Sequence, residues 1–310
     1  MAEKVEVKGT KSAGQKLKEK LFANNKNGWL EASEADKKAI LKFSDGYIKF
    51  LNNGKTEREC VKEAVLQAEK AGFKPLDKFK SIKPGDKVYF VNRAKNVILA
   101  VIGSDPISSG VNVVGAHIDS PRLDLKPNPL YEDTGFAYLK THYYGGIKKY
   151  QWTTIPLSIH GVIVKPSGEK IEVNIGESDA DPIFTITDLL PHLAQDQMEK
   201  KLKNGIEGEA LNLLIGSIPM DGDKVSEKVK LNILNILNEK YGIIERDLIS
   251  AELELVPAFK ARSLGFDASM VASYGQDDRS CAYTSLRAIS TINNPRTTAV
   301  LILSDKEEVG

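Results

Sequence analysis

Apolar residues at Ile40, Leu41, Phe43, Tyr47, Ile48 and Leu51 fall at helical spacing, and Asn53-Gly54 interrupts the pattern. Ser33 and Asp36 supply a capping-box start for this helix. A second helix is predicted from the Thr56/Glu59 cap pattern, with Val61, Ala64, Val65 and Ala68 on one face and Gly72 as its stop. From Lys87 the period shortens. Val88–Val91, Val97–Ile102 and Val111–Ala116 read as strands separated by turn residues, the third apolar enough to be buried on both faces.

Residues 157–164 and 171–175 form a predicted hairpin around Pro166-Ser167-Gly168. A helical stretch from Lys224 to Tyr241 closes at Gly242, and Glu252–Val256 alternates like a half-buried strand. A Gly/Ser-rich loop, a helix from about Asp278 to Ile292 and a strand from Thr298 to Leu303 complete the pattern. Residues 1–28 lack periodicity and read as a loosely held arm. The fold class is α/β: a mixed-sheet domain over residues 1–126 and 258–310, interrupted by a β-rich insert over 127–257.

Charge narrows the class. The 310 residues carry 43 Lys+Arg against 42 Asp+Glu, with no concentrated basic segment, which disfavours a nucleic-acid partner. The longest apolar run, Val97 to Ile102, is too short to span a membrane, and the N-terminus lacks the apolar core of a signal peptide. Cys60 and Cys281 are the only cysteines, which fits a reducing, cytoplasmic compartment. Neither a Gly-x-Ser-x-Gly elbow nor a Walker A lysine motif occurs.

Three polar clusters sit at predicted strand or helix ends. His117-Ile118-Asp119 places an imidazole and a carboxylate on one side of a strand end, so the acid can orient a metal-binding histidine. Gln276-Asp277-Asp278-Arg279 begins a helix, where acids serve as caps, although a carboxylate there can also bridge two cations. Glu307 and Glu308 follow a buried strand and point in different directions, so one can ligate a cation while the other acts as a general base. His142, His160 and His192 read as structural or interfacial.

The ordered motifs resemble those of the aspartyl aminopeptidases, cytosolic dizinc exopeptidases. The resemblance is carried by Gly115-Ala116-His117-Ile118-Asp119-Ser120-Pro121, Tyr144-Gly145-Gly146, Pro191-His192-Leu193-Ala194, Gly275-Gln276-Asp277-Asp278-Arg279-Ser280-Cys281 and Asp305-Lys306-Glu307-Glu308-Val309-Gly310. It implies a zinc-peptidase domain with an inserted dimerisation domain, dimers assembling into a dodecamer, and peptide substrates with acidic N-terminal residues. By position, His117 and Glu308 would each bind a metal, Asp277 would bridge the two, Glu307 would be the general base, and Asp119 would orient His117. Two metals about 3.5–4 Å apart polarise the scissile carbonyl and activate water. Zn2+ is the implied cofactor; mixed His and carboxylate donors also admit Co2+ or Mn2+.

Members of that family continue beyond the Glu-Glu motif and draw further metal ligands from that region. The expectation is therefore a truncated reading frame or fragment, with an inactive assembly subunit and a dizinc aminopeptidase of other specificity as the alternatives.

Overall fold

Side-chain caps decide where the first helices begin. The computed structural model describes residues 11–23, 25–222 and 224–309, so the expectations for residues 1–10 and for Gly310 lie outside the described residues. The chain divides into a unit up to Asp45 and a unit from Gly46 onward.

In the first unit, α1 (Ala13–Leu21) starts at a reciprocal cap in which Ser12 Oγ accepts the Gln15 N–H and the Gln15 side chain accepts the Ser12 N–H. Residues 13–21 of the expected arm are thus helical, a correction that follows from this local cap. A short α2 (Gly28–Glu31) follows, and α3 (Glu34–Asn53) begins at the expected Ser33/Asp36 pair and runs on into the second unit.

The second unit continues with α4 (Glu57–Lys70), capped by Thr56 and Glu59 as expected. Its strands are β1 (Lys74–Pro75), β2 (Lys87–Asn92), β3 (Asn96–Val101), β4 (Asn112–His117), β5 (Arg122–Asp133), β6 (Phe136–Tyr144), β7 (Leu157–Val164) and β8 (Lys170–Ile175). Short α5 (Gln195–Met198) and α6 (Leu202–Gly205) lead to β9 (Leu213–Gly216), α7 (Lys228–Tyr241), β10 (Glu252–Pro257), β11 (Arg262–Leu264) and β12 (Met270–Ala272). The described chain closes with α8 (Gln276–Thr291) and β13 (Ala299–Ser304).

The strands form a five-stranded mixed sheet, β1-β2-β3-β13-β4, a six-stranded sheet, β8-β7-β10-β5-β6-β9, and a β11-β12 ribbon. Val97, Leu99, Val101, Leu301 and Leu303 on one face of the first sheet pack with Val61 and Ala64 of α4 and Leu286 and Ile289 of α8. A second core joins Leu123, Ile159, Val173 and Leu255 of the larger sheet, with Ile233 and Leu237 of α7 packed against it.

Three local readings change. Among the described residues β4 ends the five-stranded sheet and is not buried on both faces as expected, with Val113 and Val114 exposed. Apolar composition could not reveal that, among the described residues, only β13 pairs with it. Helix α7 starts at Lys228, four residues later than expected, because Glu227 adopts left-handed φ/ψ (52°, 48°) and cannot belong to a right-handed helix. The Glu252–Val256 segment is interior: β10 lies between β7 and β5, and Glu254 points at a buried arginine instead of solvent.

The proline-containing β5 was not evident from the pattern; its register with β6 shifts between Leu125 and Leu130, accommodating Pro127 and Pro129. At the paired β7–β10 ladder, Gly161 has φ +134°, and an added Cβ would lie 1.9 Å from the Glu252 carbonyl oxygen. Only glycine fits so close to that backbone.

Buried polar clusters join α4 to the six-stranded sheet. His160 Nδ1 lies 2.8 Å from Glu59, and its Nε2 lies 3.0 Å from Ser158 Oγ and 3.1 Å from Glu177. Lys55 donates to Glu177 at 2.7 Å and to the Pro257 carbonyl at 2.8 Å. Burial opposes the charge on His160, but its two carboxylate partners raise its pKa overall; burial likewise opposes the charges on Glu59 and Glu177, whose partners hold them low. Burial also lowers Lys55.

The stability from His160 is therefore complete below its unfolded value of about 6.5 and is lost as pH rises through the raised folded value. Glu59 and Glu177 contribute above about pH 4.3 and lose that contribution as pH falls through their lowered values. Urea midpoints should fall as pH rises above about 6.5, and His160→Gln should flatten that limb. An unchanged slope in the variant would assign the dependence elsewhere.

Candidate metal centre

Parallel pairing of β4 with β13 brings two separated motifs to one sheet end. Residue Ser304 is opposite His117, and the Ile118 N–H donates to the Ser304 carbonyl at 2.9 Å. The chain therefore leaves both strands in the same direction, toward His117-Ile118-Asp119 on one side and Asp305–Glu308 on the other. Asn96 fixes the second exit: its Oδ1 accepts from the Asp305 N–H at 2.8 Å and the Ser304 hydroxyl at 3.1 Å.

The third motif arrives through α8. Ser120 Oγ donates to the Asp277 carbonyl at 2.9 Å, tying the start of α8 to the β4 exit. The Asp277–Asp278 peptide is cis, and neither residue has helical φ/ψ, although both lie within α8.

His117 is the centre of the cluster. Its Nδ1 lies 3.1 Å from the Asp119 carbonyl and 3.4 Å from Asp119 Oδ1, while Nε2 lies 3.2 Å from Asp277 Oδ1 and 3.7 Å from Glu307 Oε2. Among the described residues, His117, Glu307 and Glu308 form a donor group whose ligand atoms lie within 4.8 Å of one another. Asp277 reaches His117 but stands outside that group, with its side chain 89% exposed.

Asp119 is fully buried and accepts from Tyr144 Oη at 2.5 Å, from the Glu308 N–H at 3.2 Å and from the Glu307 N–H at 3.4 Å. Burial raises its pKa, but these donors outweigh burial and hold it low. Burial opposes charge on His117, yet the Asp119 carbonyl and the carboxylates of Asp119, Glu307 and Asp278 raise it overall. Burial, with the neighbouring charges of Asp119, Asp277 and Glu307 adding to it and His117 opposing, raises Glu308.

This concentration of carboxylates around one imidazole, with a nitrogen and two acidic oxygens convergent, has the donor chemistry of a zinc site. The Nδ1 edge of the imidazole faces Asp119, through both its carbonyl and its carboxylate.

The sequence motifs thus lead to neighbouring residues, but two contributors carried no assigned role. Tyr144 reaches Asp119 from β6, and Gly145, with φ +69°, brings the backbone against Glu308. An added Cβ at Gly145 would lie 3.2 Å from Glu308 Cβ and 3.3 Å from its Oε2. Their signal was the Tyr144-Gly145-Gly146 triplet itself. The other histidines lie elsewhere: His160 is in the α4 cluster, and His142 and His192 are exposed.

The profile of the aminopeptidase I zinc metalloprotease (M18) family matches residues 50–310. A probable M18 family aminopeptidase 1 from Clostridium acetobutylicum is 54% identical over 294 residues, covering 94% of this chain and 63% of the relative. The crystal structure of an M18 aminopeptidase from Thermotoga maritima superposes with a TM-score of 0.88 at 48% identity, covering 93% of this chain and 62% of that one. The S. cerevisiae mApe1 dodecamer shares the fold, with a TM-score of 0.64 at 21% identity over 86% of this chain and 60% of its own. This chain spans about three-fifths of the length of these proteins.

Proposed function

This chain belongs to the M18 family of aminopeptidase I zinc metalloproteases, and on that premise we propose that it removes acidic residues from peptide N-termini using water activated at a dizinc centre. The carrying observation is the convergence of His117, Glu307 and Glu308 at the common end of β4 and β13. His117 and Glu308 would hold separate zinc ions and Asp277 would bridge them, with Co2+ or Mn2+ compatible with the same donors. Bound zinc supplies Lewis acidity, polarising the scissile carbonyl and lowering the pKa of water. Glu307 would accept the water proton at its carboxylate and return it to the leaving amine. Asp119 would hold the His117 ring through Nδ1.

In the proposed organisation, residues 1–126 and 258–310 belong to the catalytic domain, and residues 127–257 form a dimerisation domain. A homodimer would assemble further, and the dodecameric description of the S. cerevisiae neighbour supports assembly into a higher oligomer. The cytoplasm fits two free thiols, and no helix among the described residues is long and apolar enough to cross a membrane.

The deciding experiment measures zinc content and turnover of peptides beginning with Asp, Glu, Leu or Ala. Two zinc ions and preferred turnover of Asp and Glu peptides are expected. Best turnover of the Leu peptide would overturn the acidic preference, and zinc-independent turnover would overturn the mechanism. Bound zinc and an assembled oligomer without turnover would favour a non-catalytic assembly subunit.

A further inference from the structure

We propose that Tyr144 is a positioning residue of the metal centre, holding Asp119 so that His117 and the Glu307-Glu308 segment keep their mutual geometry. This proposal rests on the metal-centre reading above. A buried tyrosine hydroxyl ordinarily finds some acceptor; the acceptor here is the carboxylate that also faces His117 and accepts both glutamate N–H groups. Tyr144 therefore acts on the nitrogen donor and the acidic segment through one side chain.

The ring is held independently of its hydroxyl. The Arg122 guanidinium lies 4.0 Å from its centroid, and Lys306 Nζ lies 4.6 Å from it. Both cations favour the electron-rich ring. Arg122 is buried and faces Glu57, Asp124 and Glu254, so the tyrosine is backed by a charged network at the seam between α4 and the six-stranded sheet.

The next residue reinforces the placement, because Gly145 brings the backbone against Glu308 without a side chain. The end of β6 consequently meets the centre twice, through the hydroxyl at Asp119 and through the glycine at Glu308. Removing the hydroxyl leaves the ring clamp and the glycine approach in place, which separates positioning of Asp119 from packing of the fold.

The test compares unaltered protein, Tyr144→Phe, Asp119→Asn and the double variant by zinc competition against a chelator, with circular dichroism and thermal unfolding of the metal-free forms. Tyr144→Phe should raise the zinc dissociation constant by about 10–100-fold while the metal-free protein remains folded. In the Asp119→Asn background the same change should have less than about a threefold effect, because the residue through which the hydroxyl acts is already altered. Equal zinc affinity in unaltered protein and Tyr144→Phe, or full additivity in the double variant, would overturn the proposal.

A second measurement covers misfolding of the phenylalanine variant. Site-specific 3-fluorotyrosine at position 144 retains the hydroxyl, and its fluorine resonance should shift when zinc is added. A resonance unmoved at saturating zinc would overturn the coupling. Failure of unaltered protein to bind zinc would instead overturn the metal-centre reading and, with it, this proposal.

Discussion

Glu307→Gln is expected to lower turnover of an N-terminal aspartyl peptide by about 10²–10⁴-fold, the range for loss of a positioned general acid-base. The substitution preserves size and removes proton acceptance at the carboxylate. Zinc content should remain, because His117, Asp277 and Glu308 carry the proposed metal contacts. The paired Glu308→Gln variant should lose zinc as well as turnover. Glu307 and Glu308 share a donor group with His117, so the pair tests which acid is ligand and which is base. Zinc loss in Glu307→Gln with zinc retained in Glu308→Gln would exchange those roles. Steady-state rates and metal analysis of both purified variants provide the check.

Arg122→Met is expected to destabilise the fold by about 3–5 kcal/mol, the usual cost of removing one partner from a buried charge network. Arg122 donates from Nε to Asp124 at 2.8 Å and places its other nitrogens 3.2 Å from Glu254 and 3.5 Å from Glu57. Burial opposes ionisation of Glu57, but Arg122 and Lys95 bring its pKa down to about 2; burial and the adjacent Glu57 charge push Glu254 well up. Without Arg122, two buried acids lose their principal cation, and methionine supplies volume without charge. Denaturant unfolding at pH 7 measures the loss. A change below about 1 kcal/mol, within the range of surface pairs, would show that the network contributes little.

The Glu57–Arg122–Glu254 network also shows where sequence reading stops. The Thr56/Glu59 cap was legible because both groups satisfy backbone donors within one turn. Glu57, in that same turn, instead faces an arginine from β5 and a glutamate from β10. Its role depends on residues 65 and 197 positions away, and no local period records that contact. The alternating pattern of Glu252–Val256 correctly marks a strand, but pairing on both sides places it in the interior.

The candidate site divides in the same way. The sequence determined the mixed α/β pattern, the caps of α3 and α4, the β7–β8 hairpin and the three acidic or histidine-bearing motifs, since local spacing and backbone chemistry specify those features. Their ordered combination also carried the family resemblance. Tertiary structure decided that β13 is the one neighbour of β4 among the described residues, that β4 and β13 exit together, and that Tyr144 reaches Asp119. Those outcomes depend on pairing between distant segments and on close packing, where one neighbour determines whether an apolar strand is covered or a carboxylate is held.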